Sequence, residues 1–369
     1  MFTKRRLIGS AAIVAISALT SAGMLTPAFA KDAAPSTSVG SMAHCQSDPL
    51  MMAYYRTWRD TTVPESANSN LPDKNVISMD QIPKGVDVAM VFDAGATKDT
   101  DYWETLGKHY VPKLHKQGTR VVYTLWIDQF AKADVALNDE AYAAYAQWIM
   151  DTYVTPYGID GIDVDVESYP QGDGLTRSIG IFNALGKLIG PKSGTDKLFI
   201  FDTNQTGSTP LFSAVSHNFS YVLLQAYGRN ITGMQNTWST FADKINSCQF
   251  LIGFSFPEEQ DRTNWNDAAG PFSEEAFSTS RARDYALWQP TGGQKGGAFV
   301  YAIDRDGKAW NENTISPTNF AWTKAVIKAQ DDAAGIKTPG QGNNPHNNNG
   351  NGNGNGNGHD NGQGHGNNK

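Results

Sequence analysis

Short apolar runs rich in β-branched and aromatic residues recur along the chain, and between them apolar positions fall three or four apart. The runs predict strands over 50–55, 86–92, 120–125, 161–167, 198–202, 221–226, 250–254 and 298–303. In the stretches between, Trp103, Leu106, Tyr110, Val111 and Leu114 share one helical face, and so do Leu175, Ile179, Phe182 and Ile189. A third helix is expected over 139–153, where Tyr142, Tyr145, Ile149 and Tyr153 form a stripe, and a last one near 320–330. Strands alternating with helices are the pattern of a parallel sheet with crossover connections. On periodicity alone the sheet is either closed into a barrel or open and doubly wound.

The two ends of the chain read differently. Lys4, Arg5 and Arg6 form a basic start, an apolar run follows from Leu7 to Leu25, and Ala28-Phe29-Ala30 is a small-x-small cleavage site. Residues 1–30 are therefore read as an export signal, cleaved near Ala30, and 31–44 as a lead-in. No later segment is apolar for long enough to span a bilayer, so the expectation is a secreted chain with no membrane attachment once the signal is gone. From 336 to 369 the composition collapses to Asn, Gly and His, which offers almost nothing to bury and predicts a disordered tail. His346, His359 and His365 match no defined metal spacing. Residues 45–335 remain for the folded body, a length within the range of one α/β barrel.

Charge narrows the partners. The formal net charge is −7 with a pI near 5.5, and no basic block follows the signal, so neither nucleic acid nor an anionic membrane is an expected partner. Nine tryptophans supply flat apolar rings of the kind that stack on sugars, although core packing accounts for most such rings. The two cysteines, Cys45 and Cys248, precede the first and seventh predicted strands. In an exported chain they can pair, and sequence alone leaves that open.

The most informative stretch is Asp160-Gly-Ile-Asp163-Val-Asp165-Val-Glu167. On a strand, alternate side chains share a face, so Asp163, Asp165 and Glu167 line one side at roughly 6–7 Å intervals. Ile162, Val164 and Val166 then pack the opposite side. Crowding carboxylates on one face of a core strand is costly unless their protons and charges are used. A cation site, a buried hydrogen-bond network and a catalytic site all fit the residues. In a closed barrel the chemistry sits at the carboxyl ends of the strands. Those ends carry further candidates: Arg56 and Trp58, Asp93, Trp126 and Asp128, Asn204, Gln225 and Tyr227, Glu258 and Glu259, Tyr301 and Asp304.

The four acids resemble the Asp-x-x-Asp-x-Asp-x-Glu signature of glycoside hydrolase family 18, the chitinases and endo-β-N-acetylglucosaminidases. The resemblance implies a single (β/α)8 TIM barrel. It also implies a retaining, substrate-assisted hydrolysis in which the sugar's own N-acetyl carbonyl attacks the anomeric carbon. In that scheme Glu167 is the general acid, Asp165 orients the acetamide, Asp163 shares a proton with Asp165, and Asp160 fixes the turn into the strand. Gln225 and Tyr227, two apart at the end of the sixth strand, are expected to donate hydrogen bonds to the acetamide. Trp126, Asp128, Asn204, Tyr301 and Asp93 are expected to contact sugar. No cofactor and no metal is called for.

Departures from the chitinase pattern narrow the substrate. The sixth strand reads Gln225-Ala226-Tyr227-Gly228 instead of Met-x-Tyr-Asp. Thr124-Leu125-Trp126-Ile127 stands where chitinases carry Ser-x-Gly-Gly, and the eighth strand carries Tyr301 in place of a floor Trp. These features look like the endo-β-N-acetylglucosaminidases that cut between the two core N-acetylglucosamines of N-linked glycans. The expected substrates are N-glycosylated proteins or released N-glycans, acted on by a monomer. A chitinase and a non-catalytic carbohydrate-binding barrel remain the alternatives.

Overall fold

In the computed structural model, which describes residues 45, 48–64, 75–95, 97–259, 265–312 and 317–336, eight parallel strands pair in chain order and close on themselves. They are β1 (Leu50–Arg56), β2 (Val88–Phe92), β3 (Arg120–Trp126), β4 (Gly161–Val166), β5 (Leu198–Thr203), β6 (Tyr221–Gln225), β7 (Phe250–Ser255) and β8 (Gly297–Tyr301). Because β1 pairs with both β2 and β8, no strand edge is left open. The open doubly wound alternative is thereby excluded. The proposed signal, the lead-in before Cys45 and the Asn/Gly/His tail lie outside the described residues.

Strand bounds expected from the sequence hold to within two residues. The second strand starts at Val88 because Asp87 is used as a cap: its carboxylate accepts the Met51 N–H at 2.7 Å. The first amphipathic stretch runs from Tyr102 to Gln117, with a wider π turn over Leu106–Tyr110. Pro112, which has no N–H to give the helix, follows that turn directly. The third helix, Asp139–Ile149, begins where Asn138 Oδ1 accepts the Ala141 N–H at 3.0 Å, and it widens into a π turn over Met150–Val154. Helix Gly172–Leu185 stops before Ile189, which is nonetheless buried in the loop beyond it. The last helix, Ala321–Ala334, is held at its start by Asp306, whose carboxylate accepts the Trp322 and Thr323 N–H groups at 3.2 and 2.8 Å.

Two apolar shells follow from the alternation along each strand. Ile162, Val164 and Val166 face outward and join Phe182, Phe212 and Ile149 beneath the helices. Met52, Met90, Val122, Ile200, Leu223, Leu251 and Phe299 face inward and fill the bore. Gly253 makes room for the largest of these, since a Cβ there would lie 2.1 Å from the Phe299 ring. The inward residues one step higher on each strand form the floor and walls of the barrel's mouth.

The seam between β1 and the ends of β7 and β8 is ionic. Arg56 donates to Asp304 at 2.6 Å and to Glu259 at 3.0 and 3.1 Å, and Arg59 donates to Glu259 at 2.8 Å. Burial alone would raise the Glu259 carboxyl, but the two guanidiniums win and hold it well below the usual carboxylate range. Removing one partner from a buried set of this kind costs about 3–5 kcal/mol, because the others are left uncompensated.

At the opposite rim, Cys45 ahead of β1 and Cys248 ahead of β7 form a disulfide with a Cα–Cα distance of 5.4 Å and a sequence separation of 203. Cross-linking so long a loop restricts the unfolded chain and is worth ~2–5 kcal/mol. A Cys45→Ser/Cys248→Ser double variant should therefore melt at a clearly lower temperature in calorimetry, yet keep its kcat/KM well below that temperature. Equal losses in both would tie this rim to the chemistry.

Candidate active site

The mouth of the barrel is where period-two alternation delivers polar groups. Two residues beyond the bore positions come Tyr54, Phe92, Asp202, Gln225 and Tyr301, and Asp165 and Trp126 lie inward near the ends of β4 and β3. With Glu167, Asn204, Tyr227, Arg229 and Trp265 they line a cavity of about 670 Å³. One side is aromatic: the Phe92 ring meets Trp126 and Tyr301 edge-on at 5.7 and 5.6 Å between centroids. The other side is acidic and amide-lined. Trp126 and Trp265 each keep more than a third of their surface exposed at the cavity.

The acid row is graded in depth. Asp163 is fully buried, Asp165 is 7 % exposed, and Glu167 stands exposed just past the end of β4. Tyr54 and Thr124 donate their hydroxyls to Asp163 Oδ2 at 2.8 and 2.9 Å. Gln225 Nε2 donates to Asp165 Oδ1 at 3.0 Å and to Asp202 Oδ2 at 2.9 Å. Asp160 stays outside the cavity: it accepts the Val121 N–H and contacts His115 Nε2, both at 2.7 Å, which fixes the entry into β4. Among the described residues no group of three His, Cys, Asp or Glu side chains is disposed to hold a metal ion.

Burial governs the protonation of this cluster. It pushes the Asp163 carboxyl up to about 7, against hydrogen bonds from Tyr54, Thr124 and the Val164 N–H. It raises Asp165 too, helped by the charges of Glu167 and Asp163 and opposed by hydrogen bonds from Gln225 and Trp126. Asp202 is raised by burial and then by Asp165 and Asp163. None of the strongest influences on these three acids is a cation. Burial and mutual repulsion both favour the protonated forms of all three.

Several expected site groups turn out differently. Asp128 lies on the short helix Ile127–Ala131 and pairs with Lys132 one turn on at 2.7 Å, away from the cavity. Asp93 accepts the Thr57 hydroxyl at 2.8 Å and does not line the cavity either. Arg56, Glu259 and Asp304 belong to the buried seam, and Glu258 reaches the site only through Tyr301, whose hydroxyl it accepts at 2.6 Å. Both N–H groups of Gln225 are engaged by carboxyls, so it is not available to donate to a ligand carbonyl as expected; Tyr227 is the donor left on that strand. Tyr54, Asp202, Arg229 and Trp265 escaped the sequence reading. For Asp202 a signal existed, because it is the single acid in an otherwise apolar strand and sits in its inward phase.

Taken together, a closed barrel with graded carboxyls and aromatic walls at its carboxyl-terminal mouth defines a glycoside hydrolase. Residues 53–300 match the family model for the endo-β-N-acetylglucosaminidase EndoS TIM-barrel domain. The chain is 42 % identical over 292 residues to endo-β-N-acetylglucosaminidase F2 of Elizabethkingia meningoseptica, spanning 78 % of this chain and 83 % of that one. It is 38 % identical over 327 residues to endo-β-N-acetylglucosaminidase EndoS of Streptococcus pyogenes serotype M1, of which it spans only 32 %. The crystal structure of an endo-β-N-acetylglucosaminidase from Cordyceps militaris superposes with a TM-score of 0.70 at 43 % identity, over 77 % of this chain and 92 % of that one. The chain belongs to the endo-β-N-acetylglucosaminidases of glycoside hydrolase family 18 and is an enzyme of that kind.

The raised Asp163 carboxyl has a measurable cost. Its folded value lies above its unfolded one, so as pH rises from 3.8 towards 7 the unfolded chain releases this proton first and native stability falls. Over that window the loss is on the order of a few kcal/mol. Asp163→Asn keeps an acceptor for Tyr54 and Thr124 but removes the titration. Its melting temperature should exceed the wild type's at pH 7–8, with the gap closing towards pH 4, while hydrolysis falls. A melting curve no higher at pH 7, or a gap that ignores pH, would contradict the protonation argument.

Proposed function

We propose that the enzyme hydrolyses the β-1,4 bond between the two core N-acetylglucosamines of N-linked glycans, with net retention, using the substrate's acetamide as nucleophile. The observation that carries this is the pair Asp165 and Glu167: two apart on the inward face of β4, one buried and hydrogen-bonded, the other exposed at the cavity. Exposure suits Glu167 to hand a proton to the leaving oxygen and then to draw one from water. Burial suits Asp165 to face the acetamide nitrogen and stabilise the oxazolinium-like charge that develops there. Asp163 lies beneath it and can take up or give back the shared proton. Tyr227, whose ring packs 6.2 Å from that of Tyr301, presents its hydroxyl to the acetamide oxygen. Gln225 acts on Asp165 and not on the sugar directly. Trp126, Tyr301 and Asn204 are the wall contacts for the chain of sugars.

A relative lends support. The Cordyceps militaris enzyme has been crystallised as a variant in which an Asp and a Glu two residues apart are replaced by Asn and Gln, in complex with fucosyl-N-acetylglucosamine-Asn. That spacing is the spacing of Asp165 and Glu167, and the ligand is a fucosylated N-acetylglucosamine joined to asparagine. The reading extends to an exported monomer acting on N-glycosylated proteins or released N-glycans. Export rests on the basic start and the Ala28-Phe29-Ala30 site; among the described residues no helix is long and apolar enough to cross a membrane.

Glu167→Gln removes the transferable proton and keeps the shape, so kcat should fall by ~10²–10⁴-fold with binding largely retained. Turnover of a glycoprotein at the native rate would remove Glu167 from the role of acid. The products test the rest: mass spectrometry should find one N-acetylglucosamine on each cleaved asparagine, and NMR of the fresh glycan a β-anomer. Loss of the whole glycan with Asn converted to Asp, an initial α-anomer, or action on chitin oligomers with none on N-glycoproteins would each overturn the corresponding part.

A further inference from the structure

Asp202 has no part in the mechanism above, yet its surroundings are built around it. It lies opposite Asp165 in the register of β4 and β5, is 2 % exposed, and still borders the substrate cavity. Its Oδ2 accepts one N–H of the Gln225 amide at 2.9 Å, while the second N–H goes to Asp165 at 3.0 Å. Its Oδ1 is buried with no hydrogen-bond partner among the described residues, and so is Asp163 Oδ1. A buried, unsatisfied carboxyl oxygen is costly and is not kept for stability.

We infer that Asp202 is a positioning residue for the hydrolysis: it locks the Gln225 amide with its NH₂ turned to Asp165, so that Asp165 is held in the rotamer that meets the acetamide. An amide has two faces that differ only by which end carries the hydrogens. A single carboxyl neighbour fixes one N–H; two carboxyls, one on each hydrogen, fix the whole plane. Without Asp202 the Gln225 side chain is free to swing and Asp165 loses the group that aims it. The inference rests on the reading of Asp165 as the acetamide-facing acid. Other ionisable groups that face Asp202 are Asp163 and Asp165 from β4, Tyr54 from β1 and Tyr227 beyond β6. All are acids, so the charge of Asp202 also bears on when Asp165 ionises.

The test is a double-mutant cycle on the full chain with a soluble N-glycoprotein, reading kcat, KM, the pH profile of kcat and the melting temperature. Asp202→Ala should lower kcat by about 10–100-fold with KM within about twofold, the size expected when a reacting group is slightly misplaced. Asp202→Asn, which retains an oxygen for the Gln225 N–H, should recover much of that loss. In a Gln225→Ala background Asp202→Ala should cost nothing further, since the residue acts through Gln225. Additive losses, an Asn variant as poor as the Ala variant, or a fall in melting temperature with kcat unmoved would each overturn the inference. Should Gln225→Ala or Asp165→Asn alone run at the native rate, the fault would lie instead in the reading of Asp165 on which it stands.

Discussion

Three buried carboxyl groups crowd together at the bore of this barrel, and among the described residues none of them is ion-paired; most of the site's design follows from that. Asp163, Asp165 and Asp202 are all buried, and burial is the largest influence raising each of them. In water such acids would be ionised at neutral pH; here ionising one makes the next harder. The neutral donors around them, the hydroxyls of Tyr54 and Thr124 and the amide of Gln225, steady whichever charge is present without abolishing the repulsion. A cluster poised in this way can pass a proton between neighbours as positive charge appears and disappears on the substrate. Glu167, in contact with solvent, is suited to the opposite task of exchanging protons with the outside.

Charge pairing is handled elsewhere. The guanidiniums of Arg56 and Arg59 sit on the seam joining β1 to the ends of β7 and β8, where Glu259 and Asp304 meet them. Held at the seam, neither guanidinium is paired with the three buried acids. Tyr301 is the link between the two regions, with its hydroxyl on Glu258 and its ring against Phe92 in the cavity wall. A rigid rim and an unbalanced pocket are thus built side by side from the same strand ends, as the two faces of a barrel strand allow.

Much of this was legible in the sequence, for reasons that can be named. Each strand is an apolar run of the right length, and β4 marks the site because three acids in one phase of a buried strand are costly, although the residues alone also fitted a cation site or a buried hydrogen-bond network. Gln225 and Tyr227 were legible by their spacing. Tyr54 was less so, because β1 carries two adjacent tyrosines and sequence alone does not say which points into the bore; Asp202 showed only as the single acid of β5, a sign of the bore but not of its contact with Gln225. Asp93 and Asp128 misled because position at a strand end says nothing about direction; Asp128 is drawn off by Lys132 on its own helix. Trp265 lies on a loop far along the chain from its neighbour Gly228, and only the folded chain brings the two together. The role of Gln225 changed for a similar reason: sequence shows an amide that can donate, while the fold shows both of its N–H groups already engaged.

The claim on which the rest depends is that the buried acids keep protons at neutral pH. It is tested most directly by following the side-chain carboxyl resonances of ¹³C-labelled aspartate through a pH titration, with the Asp163→Asn protein used to assign the signal. The account expects the Asp163 carboxyl to be still shifting near pH 7, well above the solvent-exposed aspartates. A titration complete for every aspartate below about pH 5, in the range of ordinary carboxyls, would contradict it.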